Sequence, residues 1–242
     1  MFSSRALIWI VAALALSQGC QSPADQAREL VERSVEAHGG LEAYQNLDRI
    51  SWDKTTWLYD EVGILESENI QQQVYQGGDE PTVILRWRKD STFYEIESNQ
   101  AITRYRLGDV ILSEGEEVEQ AEKQARSAAY VFFQPFKLLD QGTNLFYEGA
   151  LIIGDSLDVE VVRVSYEGDD ENADVWRYYF DQESRLVANS VEHQGRISLI
   201  MNLEYQEDPV SGLLLNKRRK SFFVDSTLGI KYLRAVYLYE IQ

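Results

Sequence analysis

The chain has 242 residues with 40 acidic against 23 basic side chains, and its net charge of −17 excludes a nucleic-acid binder that needs basic surface to displace counterions. Hydrophobic residues make up 44% and aromatics 12%, enough for a sizeable core in one large domain or two small ones. A single Cys rules out an internal disulfide, and two His rule out a histidine-rich metal centre.

Met1 to Arg5 carries one positive charge, and Ala6 to Leu16 is an unbroken apolar run of 11 residues. As a helix that run rises about 16 Å, far short of the ~30 Å hydrocarbon core, so it reads as the apolar region of a signal peptide. Leu16-Ser17-Gln18-Gly19-Cys20 follows, placing the only Cys where cleavage would leave it first. The arrangement resembles the lipobox of bacterial lipoproteins, with Ser17 standing where the usual Leu would be. Residues 1–19 are therefore expected to be a signal peptide and Cys20 a lipidation site, with ordinary secretory cleavage beside an incidental Cys as the alternative. By resemblance to lipoprotein sorting, Gln21 in place of Asp implies the outer membrane, facing the periplasm. Removing residues 1–19 leaves 22 basic against 40 acidic side chains. Anionic headgroups would repel such a surface, so membrane attachment is expected through lipid.

Ser22-Pro23-Ala24-Asp25 reads as a helix start, with a Ser cap, Pro in the first turn and an acid behind it. Ala27, Leu30, Val31, Val35 and His38 then fall at helical spacing, and Gly39-Gly40 ends the run. A short second helix is expected around Leu41 to Leu47. From Ile50 the period changes to two. Val83, Leu85 and Trp87 alternate with Ile84, Arg86 and Arg88, and Thr103, Tyr105 and Leu107 with Arg104 and Arg106. Trp176, Tyr178 and Phe180 alternate with Arg177 and Tyr179, while Ile197, Leu199, Met201, Leu203 and Tyr205 make the clearest half-buried strand. Turns at Gly77-Gly78-Asp79, Asp181 to Ser184 and Asp208 to Gly212 separate these runs, giving about ten or eleven strands, mostly antiparallel. One helix interrupts them: Val118, Ala121, Ala125, Ala129 and Phe132 keep helical spacing until Pro135. A helix inserted in a sheet packs over one face of it. No Pro/Gly/Ser linker divides residues 23–242, which read as one domain.

Three stretches together resemble an uncharacterised family of bacterial lipoproteins similar in shape to the lipoprotein carriers LolA and LolB. They are Ala37-His38-Gly39-Gly40-Leu41-Glu42, Phe132-Phe133-Gln134-Pro135-Phe136-Lys137-Leu138 and Trp176-Arg177-Tyr178-Tyr179-Phe180-Asp181. The resemblance implies an α+β fold in which a strongly curved antiparallel sheet forms a half-open barrel. The N-terminal and inserted helices would cover its concave face over an apolar cavity. Independently, the last strand, Gly229 to Ile241, is apolar on both faces, so neither face is simply solvated.

If half-buried strands turn their larger side chains inward, the cavity is lined by Trp52, Trp87, Tyr105, Trp176, Tyr178, Leu199 and Met201, with Phe132 from the inserted helix. The same rings would serve as well in a filled core. The expected function is binding of an acyl chain or lipoprotein lipid without catalysis, and no cofactor or metal is expected. An envelope interaction scaffold with a filled barrel is the alternative. A hydrolase is the weaker third: Gly154-Asp155-Ser156-Leu157 spells a nucleophile motif, but neither His has an Asp three residues before it, and without a base the hydroxyl stays protonated. A hairpin turn is the simpler reading. The acidic loop from Asp169 to Asp174 has oxygen ligands in number but no calcium-loop spacing, and reads as solvated. The basic run from Lys217 to Lys220 would point alternately to both faces of a strand, and is expected to pair with the acidic surface. His38 closes a helix, where a hydrogen-bonding or cationic ring suits the carbonyl end, and His193 lies in a strand; the two show no visible partnership, so neither is expected to be a general base.

Overall fold

The computed structural model describes residues 21–99, 101–154, 156–169 and 173–242. The expected signal peptide and the expected lipidation site Cys20 lie outside the described residues, as does the centre of the acidic loop, residues 170–172.

Helix α1 spans Pro23–Ala37 and opens as its sequence dictates: the Ser22 hydroxyl oxygen accepts the Asp25 amide at 3.1 Å, and Pro23 occupies the first turn. Its buried stripe is Ala27, Leu30, Val31, Ser34 and Val35. Gly39 follows at φ +109° because the chain turns hard against the loop at residues 208–213; a Cβ there would stand 2.8 Å from the Gly212 carbonyl oxygen. Helix α2 (Leu41–Gln45) is one short turn.

Six strands then run as a meander: β1 (Arg49–Tyr59), β2 (Leu65–Gln76), β3 (Thr82–Lys89), β4 (Thr92–Ser98), β5 (Thr103–Leu107) and β6 (Val110–Leu112). Helix α3 (Glu116–Phe132) and a 3-10 turn (Phe136–Leu139) interrupt. Seven more strands follow: β7 (Thr143–Ile153), β8 (Leu157–Tyr166), β9 (Val175–Phe180), β10 (Leu186–His193), β11 (Arg196–Glu207), β12 (Leu214–Val224) and β13 (Ile230–Ile241). All pair antiparallel in one sheet of order β6-β5-β4-β3-β2-β1-β13-β12-β11-β10-β9-β8-β7, so the second meander comes back to join β1 through β13. The sheet is open, with β6 and β7 as its edges.

The order sets where the helix goes. The α3 connection links opposite edges of the sheet, which would stand roughly 58 Å apart if flat at ~4.8 Å per strand, and its 17 helical residues supply about 25 Å. Ser98 at the end of β4 and Tyr166 at the end of β8 line one and the same cavity although nine strand spacings separate them in the sheet. Only a strongly curled sheet brings both beneath one helix. The helix then crosses the concave face because its two ends are tied to opposite edges.

Three apolar clusters hold this shape. Under α3, Ala121, Ala125, Ala129 and Phe132 meet Trp52, Leu85, Ile96 and Tyr239, with Phe132 stacked on Trp52 at 3.6 Å between centroids. Under α1, Ala27, Leu30 and Val31 meet Val162, Val164, Tyr178, Phe180 and Leu186. On the opposite face of the sheet, Ile153 and Val159 beside the β7–β8 turn gather with Tyr179, Ala188, Leu199 and Val224.

The sheet has thirteen strands where hydrophobic alternation counts ten or eleven. The polar, largely exposed first half of β2 and the three residues of β6 carry too little alternation to be seen. The open, curved antiparallel sheet with a crossing helix is as expected.

Candidate ligand-binding cavity

Between α3 with its 3-10 turn above and the concave face below lies a cavity of about 1020 Å³. Its roof comes from Ala125, Ala129, Tyr130 and Gln134, and the alanine stripe leaves the space that larger residues would fill. Register fixes its floor. Lys54 pairs with Tyr239, Tyr237 with Arg219, Arg219 with Asn202, and Ile200 with Asn189, so these side chains share the concave face of β1, β13, β12, β11 and β10. Lys54, Tyr237, Tyr239, Arg219, Ile200 and Asn189 all border the cavity, and Trp176, Val83 and Tyr75 form apolar walls.

Two polar groupings stand out in a lining that also carries Ser98, Asn99, Gln141 and Thr143. At one end, the Tyr130 and Tyr166 hydroxyls meet at 2.5 Å, and the Gln134 amide donates to the Tyr178 hydroxyl at 3.2 Å. Burial raises the pKa of Tyr130, Tyr166 and Tyr178 above the usual tyrosine value, so they remain protonated hydrogen-bonding groups at neutral pH. Gln134 is 2% exposed and its Oε1 has no partner. At the floor, Arg219 is 3% exposed; its Nη2 donates to Asn189 Oδ1 at 2.5 Å, while its Nε is buried without a partner. The Lys54 ammonium lies 5.5 Å from the Tyr237 ring centre and 5.7 Å from that of Tyr239, within cation–π range. Of the charged residues bordering the cavity, Glu122 pairs with Arg126 and Lys137 with Asp140. Lys54 and Arg219 have no carboxylate within salt-bridge distance among the described residues.

The residues expected to line a ligand site divide by place. Trp176 borders the cavity. Trp52 and Phe132 are fully buried against each other, and Trp52 Nε1 donates to Gln73 Oε1 at 3.0 Å. Tyr178 is buried beneath α1 with its hydroxyl in the tyrosine cluster. Trp87 and Tyr105 pack at the edge of the α3 cluster, stacked at 6.5 Å. Leu199 and Met201 are corrected: they lie on the opposite face, with the β7–β8 hairpin end, and Ile200 takes the cavity position. The physical reason is that β11 alternates between two buried faces, and its more apolar one is not the one that faces the hollow.

The other singled-out residues also find places. Gly154 and Ser156 sit in the β7–β8 turn, and Leu157 begins the next strand. The His193 Nδ1 lies 2.5 Å from Asp174 Oδ1 on the surface. His38 caps α1 with Nδ1 2.7 Å from the Ser34 carbonyl, and burial lowers its pKa, so the ring is neutral rather than cationic. In the basic run, Arg218 pairs with Glu204 at 3.1 Å as expected of a surface residue. Lys217 and Lys220 pair with no carboxylate among the described residues, and Arg219 turns inward, also with no acidic partner there. Strand alternation was the available signal for it; Asn189 and Lys54 carried none.

No family model matches this chain, and no curated protein matches it. Solved structures do resemble it. A DUF1329 family protein from Desulfovibrio piger superposes with a TM-score of 0.56 at 8% identity, covering 92% of both chains. An outer membrane lipoprotein-sorting protein domain from Vibrio parahaemolyticus gives 0.55 at 8% identity, covering 89% of this chain and 92% of its own. A LolA superfamily protein from Nitrosomonas europaea gives 0.54 at 9% identity, covering 89% and 91%. At these identities the likeness concerns the fold: the open, curved sheet with its crossing helix is a LolA-like fold.

Proposed function

We propose that this protein is a lipid-anchored envelope protein, tethered through Cys20 at the outer membrane, that holds an acyl chain or lipoprotein lipid in its half-barrel and performs no chemistry on it. The observation that carries this reading is the cavity of about 1020 Å³ beneath α3, lined by a mixture of apolar and polar side chains. It reaches the upper end of the size range of small-molecule pockets, about 300–1,000 Å³, whereas a scaffold with a filled barrel would leave no such space. The lipoprotein-sorting and LolA superfamily neighbours support a lipidic ligand. Catalysis finds no support in the motifs: Ser156 is a turn residue, and neither His borders the cavity.

The test is extraction and mass spectrometry of lipid copurifying with the full-length chain carrying Cys20→Ala, so that its own anchor contributes no acyl group. A defined lipid at near-stoichiometric amount is expected. No lipid retained, together with no binding of added acyl chains, would overturn the reading.

A further inference from the structure

Two cations face the cavity without counterions, in a chain whose net charge is −17. Arg219 sits at the floor on β12, uses Nη2 on Asn189, and keeps a buried Nε unpaired. Lys54 comes from β1, and its ammonium lies over the ring of Tyr237, the register partner of Arg219. The two cations thus come from the strands on either side of β13, and both side chains border the same cavity. The remaining charged residues on the cavity wall cancel in pairs, leaving these two.

An unpaired charge buried in a protein is costly, and a guanidinium so placed is normally matched by a carboxylate or phosphate held across its fork. Forty acidic residues were available to supply that partner, and among the described residues none does. On either side of the pair lie apolar surfaces, Trp176 and Ile200 toward one side and Val83 and Tyr75 toward the other. A ligand satisfying the whole site has one anionic group and a long apolar part.

We infer that the cavity selects an anionic amphiphile, whose carboxylate or phosphate sits on Arg219 and Lys54 while its hydrocarbon lies along the apolar walls. This inference rests on the lipid-binding reading and narrows it from lipid in general to lipid with a negative head. Arg219 supplies the directional, two-pronged contact, and Lys54 supplies a second positive charge that can follow the head of either kind. The acidic exterior does not oppose loading, because the charge that counts for the bound head is local and sits at a low-dielectric, partly enclosed floor.

The experiment compares matched pairs of ligands on the full-length Cys20→Ala protein by equilibrium dialysis: oleate against oleyl alcohol, and phosphatidic acid against diacylglycerol. Within each pair only the anionic head differs, and the two pairs separate a carboxylate source from a phosphate one. Oleate or phosphatidic acid is expected to bind at least about tenfold more tightly than its neutral counterpart, the scale of a charge-assisted hydrogen bond. Arg219→Met should remove that preference, and Arg219→Lys should restore part of it. Equal binding of charged and neutral ligands would overturn the selectivity and leave lipid binding intact. A preference unchanged in Arg219→Met would overturn the assignment of the site. Binding of none of the four would overturn lipid binding itself, and this inference with it.

Discussion

If Arg219 is held for a ligand rather than for the fold, then removing it from the empty protein should not destabilise it. Arg219 is 3% exposed and makes one hydrogen bond with its five donors, to Asn189 Oδ1, while Nε is buried and unpaired. An unsatisfied buried donor costs about 1–3 kcal/mol, and desolvating the charge adds to that. Arg219→Met relieves both but strands the Asn189 oxygen, which is itself 3% exposed, at a similar cost of about 1–3 kcal/mol. The single variant should therefore come out near neutral. Arg219→Met with Asn189→Leu removes donor and acceptor together and should gain about 1–4 kcal/mol, as when buried polar pairs give way to apolar ones of similar volume. The open cavity admits water to part of the guanidinium, which places the gain at the lower end. For a domain of this size each kcal/mol moves the melting temperature by about 2–4 °C, so the double variant should melt several degrees higher by calorimetry. It should at the same time lose its preference for anionic ligands. A loss of more than about 2 kcal/mol in the ligand-free double variant would refute this reasoning and make Arg219 part of the fold's support.

Three further predictions follow from particular contacts. Burial is the largest influence on His38 and lowers its pKa, outweighing the Ser34 carbonyl and Asp181, which raise it. The unfolded chain therefore binds the proton first, and stability should fall as pH drops below about 6.5, by up to about 1.4 kcal/mol per pH unit until the folded-state value is passed. Urea midpoints between about pH 7.5 and 5.5 should show that slope in the native protein and a shallower one in His38→Gln; equal slopes would contradict it. Gly39→Ala, with its Cβ 2.8 Å from the Gly212 carbonyl and φ +109°, should cost at least about 2 kcal/mol. Gly63→Ala, at φ +85° in open space, should cost about 1 kcal/mol, and the reverse order in urea unfolding would be the contrary result. Finally, Ile200→Trp should reduce lipid retention at least about tenfold by filling the floor, while Met201→Leu on the opposite face should leave it unchanged. Equal effects on binding would show that the cavity does not hold the ligand.

Periodicity made the helices and most strands legible, because α1 and α3 carry their apolar residues at 3.6-residue spacing and end at Gly39 and near Pro135. The face of each strand was harder. In β11 the apolar residues Ile197, Leu199 and Met201 look like an inward face, yet they pack with the β7–β8 hairpin end. The concave face carries Ile200 with the polar Asn202, paired across to Arg219. A hydrophobic rule picks the greasier face, and a binding cavity with a polar floor is the case in which that rule fails. Arg219 sat in plain view within a basic run, but its inward direction depends on register with Asn202 of β11 and Tyr237 of β13, 17 and 18 residues away in the chain. The tyrosine cluster was hidden for the same reason, since Tyr130, Tyr166 and Tyr178 come together only when the sheet curls beneath α3.

The hollow as the ligand's seat is most directly tested by crystallising the Cys20→Ala protein with a dibrominated stearate and locating the bromines by anomalous scattering. Bromine peaks beneath α3, between Trp176 and Tyr237, with the carboxylate beside Arg219, are the predicted result. Peaks confined to the outer surface, or an unoccupied cavity at saturating ligand, would contradict it.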